Sequence, residues 1–347
     1  MYYYISRNYK GLDSAGNKAK NDIEKIAEKE VHCKNIGLPF STSRNTVVHF
    51  LRNLAGVLKA PFALHKGDVL ILQYPLKKYY TFTCNMAHLR GAKIITIIHD
   101  LGSFRRKALT IEQEIDRLNH SDIVIAHNEK MREWLHSHGC KAILSELGIF
   151  DYLSSAPLPE GNVSTAGDSK KFTVVYAGAL TQRKNAFLYE WGTYIKSYDV
   201  ALYGRNFDMN AVKGKEQFHY YGFAQSDDFI SNVKGDFGLV WDGSSVSSCE
   251  GNFGEYLKLN NPHKTSFYLR SGLPVIIWKQ AALAHFVSSH GIGICINSLE
   301  ELDDIMKNMT IEEFSRMKAN VLRESRRLQA GHYASFAIKN AIETLDV

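Results

Sequence analysis

The chain has 347 residues, enough for two domains at roughly 100–200 residues each. With 45% hydrophobic and 22% charged residues it lies far from disordered composition, and no apolar run approaches the ~20 residues that span a bilayer. The net charge of +6 is uneven: residues 1–150 carry +8 and the remainder −2, so the first half is expected to meet something anionic.

The start, Met1–Arg7, lacks the basic opening and apolar stretch of a signal peptide, and the expected location is the cytoplasm. Five cysteines (Cys33, Cys84, Cys140, Cys249, Cys295) lie far apart without a C-x-x-C pair, which fits reduced thiols better than a zinc ribbon or disulfide scaffold.

In chain order, strands are predicted at Tyr2–Ser6, Asp68–Tyr74, Lys93–His99, Ile123–His127 and Ala142–Glu146, with an amphipathic helix over Ala15–Glu30. Runs such as Val69–Leu72 and Ile94–Ile98 are apolar on both faces, the mark of a parallel sheet covered by helices on both sides. Ser, Pro, Gly, Asn and Asp cluster over 154–171 and predict a linker. A second alternation follows with strands at Phe172–Tyr176, Val200–Tyr203, Phe237–Trp241, Pro274–Trp278 and Gly293–Ile296, then helices near 310–328 and 332–345. The expected architecture is α/β: a first Rossmann-like, doubly wound domain over 1–153 and a second over 172–330. They are expected to face across a cleft, with a last helix at about 331–347 that packs back on the first.

Strand ends carry the chemistry in such folds. After Val174-Val175-Tyr176 the chain turns through Ala177-Gly178-Ala179-Leu180-Thr181-Gln182-Arg183-Lys184, where Gly178 admits close backbone approach and Arg183 and Lys184 suit phosphate. The other reading is an ordinary turn with solvated charges. The segment Asn260–Trp278 is more specific. Asn261 is the expected N-cap and Pro262 the first helical residue, yet the first turn holds His263, Lys264, Thr265 and Ser266 where the helix dipole favours acids. Helix N–H groups, a lysine and two hydroxyls describe a diphosphate site; the alternative is a lysine extended into water. Upstream, Trp241 and Asp242 close a buried strand before the polar loop Ser244–Asn252, a candidate lid or sugar-recognition loop in which Asp242 accepts sugar or ribose hydroxyls or merely satisfies turn amides.

In the first half, His99 and Asp100 follow a buried strand, where either could deprotonate a hydroxyl or serve as a cap. The loop Asn8–Lys18, with Asp13 and Gly16, and the strand end at His127 lie at the same expected edge as donor-sugar or acceptor contacts. Glu112–Asp116 reads as a solvated helix face. Lys77-Lys78, Arg105–Lys107 and the amphipathic stretch Arg44–Phe62 suit an anionic membrane surface, or equally a core helix with solvated lysines; no nucleic-acid motif accompanies the charge. There is no P-loop, H-E-x-x-H, G-x-S-x-G or D-x-D, and no metal or other cofactor is expected.

These features resemble the GT-B glycosyltransferases. More narrowly, Phe237–Gly243, Gly254–Lys258 and Asn260–Ser266 resemble the glucosyltransferase-3-like family, which includes bacterial β-1,6-galactofuranosyltransferases of O-antigen assembly. The resemblance implies transfer of a hexosyl group, galactofuranosyl or otherwise glucosyl, from a UDP-sugar to a saccharide acceptor. That acceptor would be a lipid-linked oligosaccharide or a glycoprotein glycan. It also implies a homo-oligomer (dimer or tetramer) and UDP held by Arg183 or Lys184, Tyr221 and Lys264, while peripheral contact at the inner membrane face is the expectation from the basic and amphipathic stretches above. Many GT-B enzymes carry two glutamates eight positions apart; here Leu259 and Phe267 stand there. If the reaction inverts, Asp100 is the expected base and His99 the second choice. The rival readings are a UDP-sugar epimerase or hydrolase on the same fold, and a non-catalytic glycan-binding partner subunit of another transferase.

Overall fold

The structure, a computed structural model, describes residues 1–6, 15–38, 45–76, 79–105, 108–159 and 171–345. Two compact units divide the chain: Met1–Asp151 together with Gly331–Val347, and Tyr152–Ala330.

The first unit holds a six-stranded sheet of β1 (Tyr2–Tyr4), β2 (Lys34–Asn35), β3 (Val69–Tyr74), β4 (Lys93–Ile98), β5 (Ile123–Ala126) and β6 (Ile143–Glu146), in the order β2-β1-β3-β4-β5-β6. Every pairing is parallel. β3 is buried along its whole length, as its unbroken apolar run requires of a central parallel strand. Helices at Ala15–Val31, Thr46–Ala63, Tyr80–Leu89, Ile111–Leu118 and Glu129–Ser137 connect the strands. The helix His332–Leu345 belongs to this unit. Asp151 opens it: the carboxylate accepts from the N–H groups of Tyr333 at 3.2 Å and Ala334 at 2.6 Å.

The second unit contains β7 (Thr173–Ala179), β8 (Asp199–Arg205), β9 (Phe218–Gly222), β10 (Phe237–Val240), β11 (Val275–Trp278) and β12 (Gly293–Ile296). The order β12-β11-β10-β7-β8-β9 is again parallel throughout. Within this sheet it is the doubly wound dinucleotide-fold order, which reverses between β7 and β10. Phe172, Phe237 of β10 and Phe314 pack together in edge-on and tilted contacts, with centroids 5.1–5.6 Å apart.

Three sequence expectations shift. β2 and β9 were not foreseen. β7 runs on to Ala179, so Gly178 belongs to a strand and not to a turn. The helix at His263–Arg270 is preceded by Pro262 with ψ of 122°, so Pro262 is the cap position and Asn261 lies one residue outside. The described residues of the expected linker are tied into the second unit. The fully buried Arg270 donates to the carbonyls of Ala156 and Pro157 at 2.5 and 3.1 Å, and Gln329 exchanges hydrogen bonds with Ser154.

Candidate functional site

In open parallel sheets ligands bind beyond the carboxyl ends of the strands where the order reverses. In the second unit that point lies between β7 and β10. Tyr176 of β7 is fully buried, and its hydroxyl donates to the Trp241 carbonyl at 3.3 Å and to Asp242 Oδ1 at 3.4 Å, joining the two strand ends. Lys264 comes to the same place from the first turn of the helix His263–Arg270. Its Nζ sits 3.9 Å from the centroid of the Tyr176 ring and 3.8 Å from Asp242 Oδ1. The second distance exceeds hydrogen-bond length, so among the described residues the ammonium has donors to spare. Burial pushes the Lys264 pKa down to about 8; Asp242 opposes that shift and the nearby Lys184 adds to it.

Gly178 leaves room beside the lysine. Its φ of +144° disfavours any side chain, and a Cβ there would point at Lys264, 3.8 Å from Cε and 4.0 Å from Nζ. Beneath it, Tyr268 of the same helix accepts the Ala177 N–H at 2.7 Å and packs against Gly238, where a Cβ would fall 2.2 Å from the tyrosine ring. Strand and helix are thus locked together by hydroxyl and glycine, and the lysine is aimed by rigid elements.

The helix start has no side-chain cap and no acid in its first turn. The Thr265 hydroxyl is fully buried and has no partner among the described residues. Asn185, also fully buried, donates to the Ala179 carbonyl at 2.7 Å, and its own Oδ1 is unmatched among the described residues. Unmatched buried polar atoms are costly. One is tied to the end of β7 and the other lies in the first turn of the helix, and such groups in a native structure call for an explanation.

Other expected residues fall as follows. Arg183 is exposed, and Lys184 Nζ lies 5.2 Å over the Phe253 ring. Tyr221 stands on β9, stacked on Tyr203 at 5.1 Å, while its neighbour Tyr220 donates to the carbonyl of Gly204, the register partner of Gly178. Trp241 is a core residue that donates to the Ser245 carbonyl at 2.9 Å; with the Leu299–Val246 backbone bond this pins the loop expected to be a lid. Asn261 is buried. Phe267, in a position where many GT-B enzymes have a glutamate, stacks on Phe229 at 4.4 Å and packs half-buried against the core.

In the first unit the carboxyl edge of the sheet carries His99, Asp100 and His127. His99 is half-buried, 2.6 Å from Gln73 Oε1 through Nε2 and stacked on Phe150. Asp100 is half-buried beside it. His127 is buried, its Nε2 3.1 Å from the Ile98 carbonyl, and burial pushes its pKa down to about 3, so it is neutral and structural in character. Gly16 is exposed near the start of its helix, and Asp13 lies outside the described residues.

Sequence reasoning missed Glu114. It sits on the apolar stripe of Ile111, Ile115 and Leu118, a signal that it faces inward, and it is fully buried. Its carboxylate accepts from the N–H groups of Gly102 at 2.7 Å and Ser103 at 2.8 Å, from the Ser103 hydroxyl, and from Tyr74 Oη at 3.0 Å. It therefore fixes the segment that directly follows Asp100.

Two family profiles match the chain: "Glucosyltransferase 3-like, N-terminal domain" over residues 2–149 and "Glucosyltransferase 3-like, C-terminal domain" over 174–341. The chain belongs to the glucosyltransferase 3-like family. The β-1,6-galactofuranosyltransferase WbbI of Escherichia coli (strain K12) is 33% identical over 99% of both chains. Glucosyltransferase 3 of Streptococcus gordonii is 25% identical over 93% of both. Membership in the glucosyltransferase 3-like family makes the chain a glycosyltransferase. Solved structures support the GT-B fold. Sucrose-phosphate synthase of Thermosynechococcus elongatus matches with a TM-score of 0.53 at 14% identity, over 91% of this chain and 84% of that one. AviGT4, a glycosyltransferase of avilamycin A biosynthesis, matches with 0.50 at 11%, over 97% and 90%.

Proposed function

We propose that this glycosyltransferase moves a hexosyl group, galactofuranosyl by preference and glucosyl otherwise, from a UDP-sugar to a saccharide acceptor in polysaccharide or glycoconjugate assembly. The observation that carries the reading is Lys264: an ammonium with spare donors, held beside the empty side of Gly178 at the point where the strand order reverses. A diphosphate is the ligand that suits a cation, a buried hydroxyl able to donate and an uncapped helix start. The hydroxyl of Thr265 can donate to a phosphate oxygen, and Lys184 adds a second charge. These residues supply the positive charge, and the reading assigns no metal.

In the reaction, the bond from sugar C1 to the β-phosphate oxygen breaks and UDP leaves with the electron pair. An acceptor hydroxyl oxygen bonds to C1 and its proton passes to a base. We assign the base to Asp100, with His99 as second choice and Glu114 holding the adjoining backbone. Charge on the departing diphosphate is what Lys264 stabilises, so its contribution grows toward the transition state.

The test offers UDP-galactofuranose and UDP-glucose with a lipid-linked oligosaccharide acceptor, in the presence of a metal chelator, and reads products by mass spectrometry. A glycosylated acceptor is expected with the chelator present. UDP release or sugar isomerisation at full rate without acceptor would assign the chain to hydrolysis or epimerisation instead.

A further inference from the structure

The helix Thr46–Ala63 is apolar on two sides. Its inward side places Val57 and Ala60 in the core. At 100° per residue, Val47, Leu51, Leu58 and Phe62 fall within an arc of about 60° on the other side. All four are exposed, Leu51 at 56% and Phe62 at 85%. A helix with apolar residues on both sides is ordinarily buried on both.

A neighbouring helix also exposes large apolar side chains. Tyr80–Leu89 runs alongside: the Phe50 and Tyr79 rings lie 6.5 Å apart at one end, and Arg90 Nε donates to the Leu64 carbonyl at 3.1 Å at the other. It adds Phe82 and Leu89, both exposed. Monomeric surfaces seldom carry so many large apolar side chains together without a use for them.

Charge decides what that use is. From Glu30 to Asp68 the sequence contains no acid, and from residue 31 to residue 99 it holds nine Lys and Arg against Asp68 alone. The surplus of the first half is thus concentrated in the stretch that bears both helices. Lys59 is exposed on the helix itself, and neither helix has an acidic residue. An isologous contact with a second copy would press like charges together. Apolar side chains flanked by cations match a surface that is anionic outside and hydrocarbon within.

We propose that the paired helices Thr46–Ala63 and Tyr80–Leu89 dock the chain on an anionic lipid bilayer, with Leu51, Leu58 and Phe62 entering the acyl boundary and Lys59 lying among the headgroups. The arrangement is interfacial, since no helix among the described residues is long and apolar enough to cross a membrane.

The experiment is flotation of the full chain with vesicles of phosphatidylcholine alone and of phosphatidylcholine with phosphatidylglycerol. The chain should float with the anionic vesicles, at least tenfold less with the neutral ones, and progressively less as salt rises. Leu51→Ser/Phe62→Ser should lower anionic flotation at least tenfold with its melting temperature retained, because both side chains are exposed. Lys59→Glu should lower it while the apolar face stays intact. Failure of the native chain to float, or equal flotation of the double variant, would overturn the proposal. So would a dimer in sedimentation that the double variant disperses with no vesicle binding, which would give the face to a second copy. UDP affinity is measured in parallel, and its persistence in every variant keeps the docking surface separate from the donor site.

Discussion

Lys264 and Asp242 stand 3.8 Å apart, brought together by a helix start and the end of β10, with the ring of Tyr176 against the ammonium. Burial outweighs the attraction of the carboxylate and lowers the lysine to about 8 from an ordinary 10.5. The lysine is therefore charged at neutral pH and discharges just above it. An arriving diphosphate favours the charged form and raises the pKa again. UDP affinity should be flat below about pH 7 and fall by up to tenfold per pH unit above about 8. Binding at pH 8.5 should take up protons, which calorimetry in two buffers of different ionisation enthalpy detects. Lys264→Met should abolish the uptake; uptake that persists in this variant would remove the lysine from the site.

Thr265→Val separates stability from binding. The native hydroxyl is buried with no partner among the described residues, a situation that costs ~1–3 kcal/mol. The isosteric variant should be more stable than the native chain by about 1 kcal/mol in urea titration. It should also bind UDP about tenfold more weakly, the equivalent of one hydrogen bond near 1.4 kcal/mol. Equal UDP affinity would mean that the hydroxyl faces protein and not ligand.

Asp151 sets a pH dependence of the opposite kind. Burial raises its pKa to about 7 despite the two N–H donors from Tyr333 and Ala334, and Asp22 adds to the rise. The folded state thus holds the proton more tightly than the unfolded state between pH ~4 and ~7. Ionisation of this group removes stability as pH climbs through that window. Asp151→Asn keeps an acceptor for the helix start without a charge. Its stability relative to the native chain should rise from pH 4 to pH 7 and level off above, as read by thermal melts across that range. A constant difference would place the Asp151 pKa in the ordinary carboxylate range.

Glu114→Ala should cost about 3 kcal/mol, since it strands the Gly102 and Ser103 N–H groups and the Tyr74 hydroxyl in the interior. Turnover should fall with little change in UDP affinity, because the loosened segment follows Asp100 and not Lys264. Denaturant titration and steady-state kinetics check the two halves of this prediction.

Much of this was legible in the sequence for a physical reason. Central parallel strands are apolar on both faces, so β3, β4, β10 and β11 announce themselves, and the residues at their carboxyl ends follow. β2 is too short to show a period, and β9 hides because its residues are mostly exposed aromatics at a sheet edge. The lysine in the first turn of its helix was readable because it violates the dipole rule. Its contacts with Asp242 and Tyr176 were not, since they join segments far apart in the chain. Glu114 was misread because charge was weighed before position: a carboxylate on an apolar stripe is buried with donors around it or does not occur there.

The Tyr152 N–H donates to the Leu328 carbonyl at 3.2 Å, so the second unit begins and ends at one spot. A segment whose termini touch is a cassette. It can be excised with a short splice and exchanged for the equivalent piece of a relative, leaving the first sheet and its final helix continuous with each other. If the donor binds at Lys264 as proposed, transplanting residues 152–330 whole should carry donor preference with it.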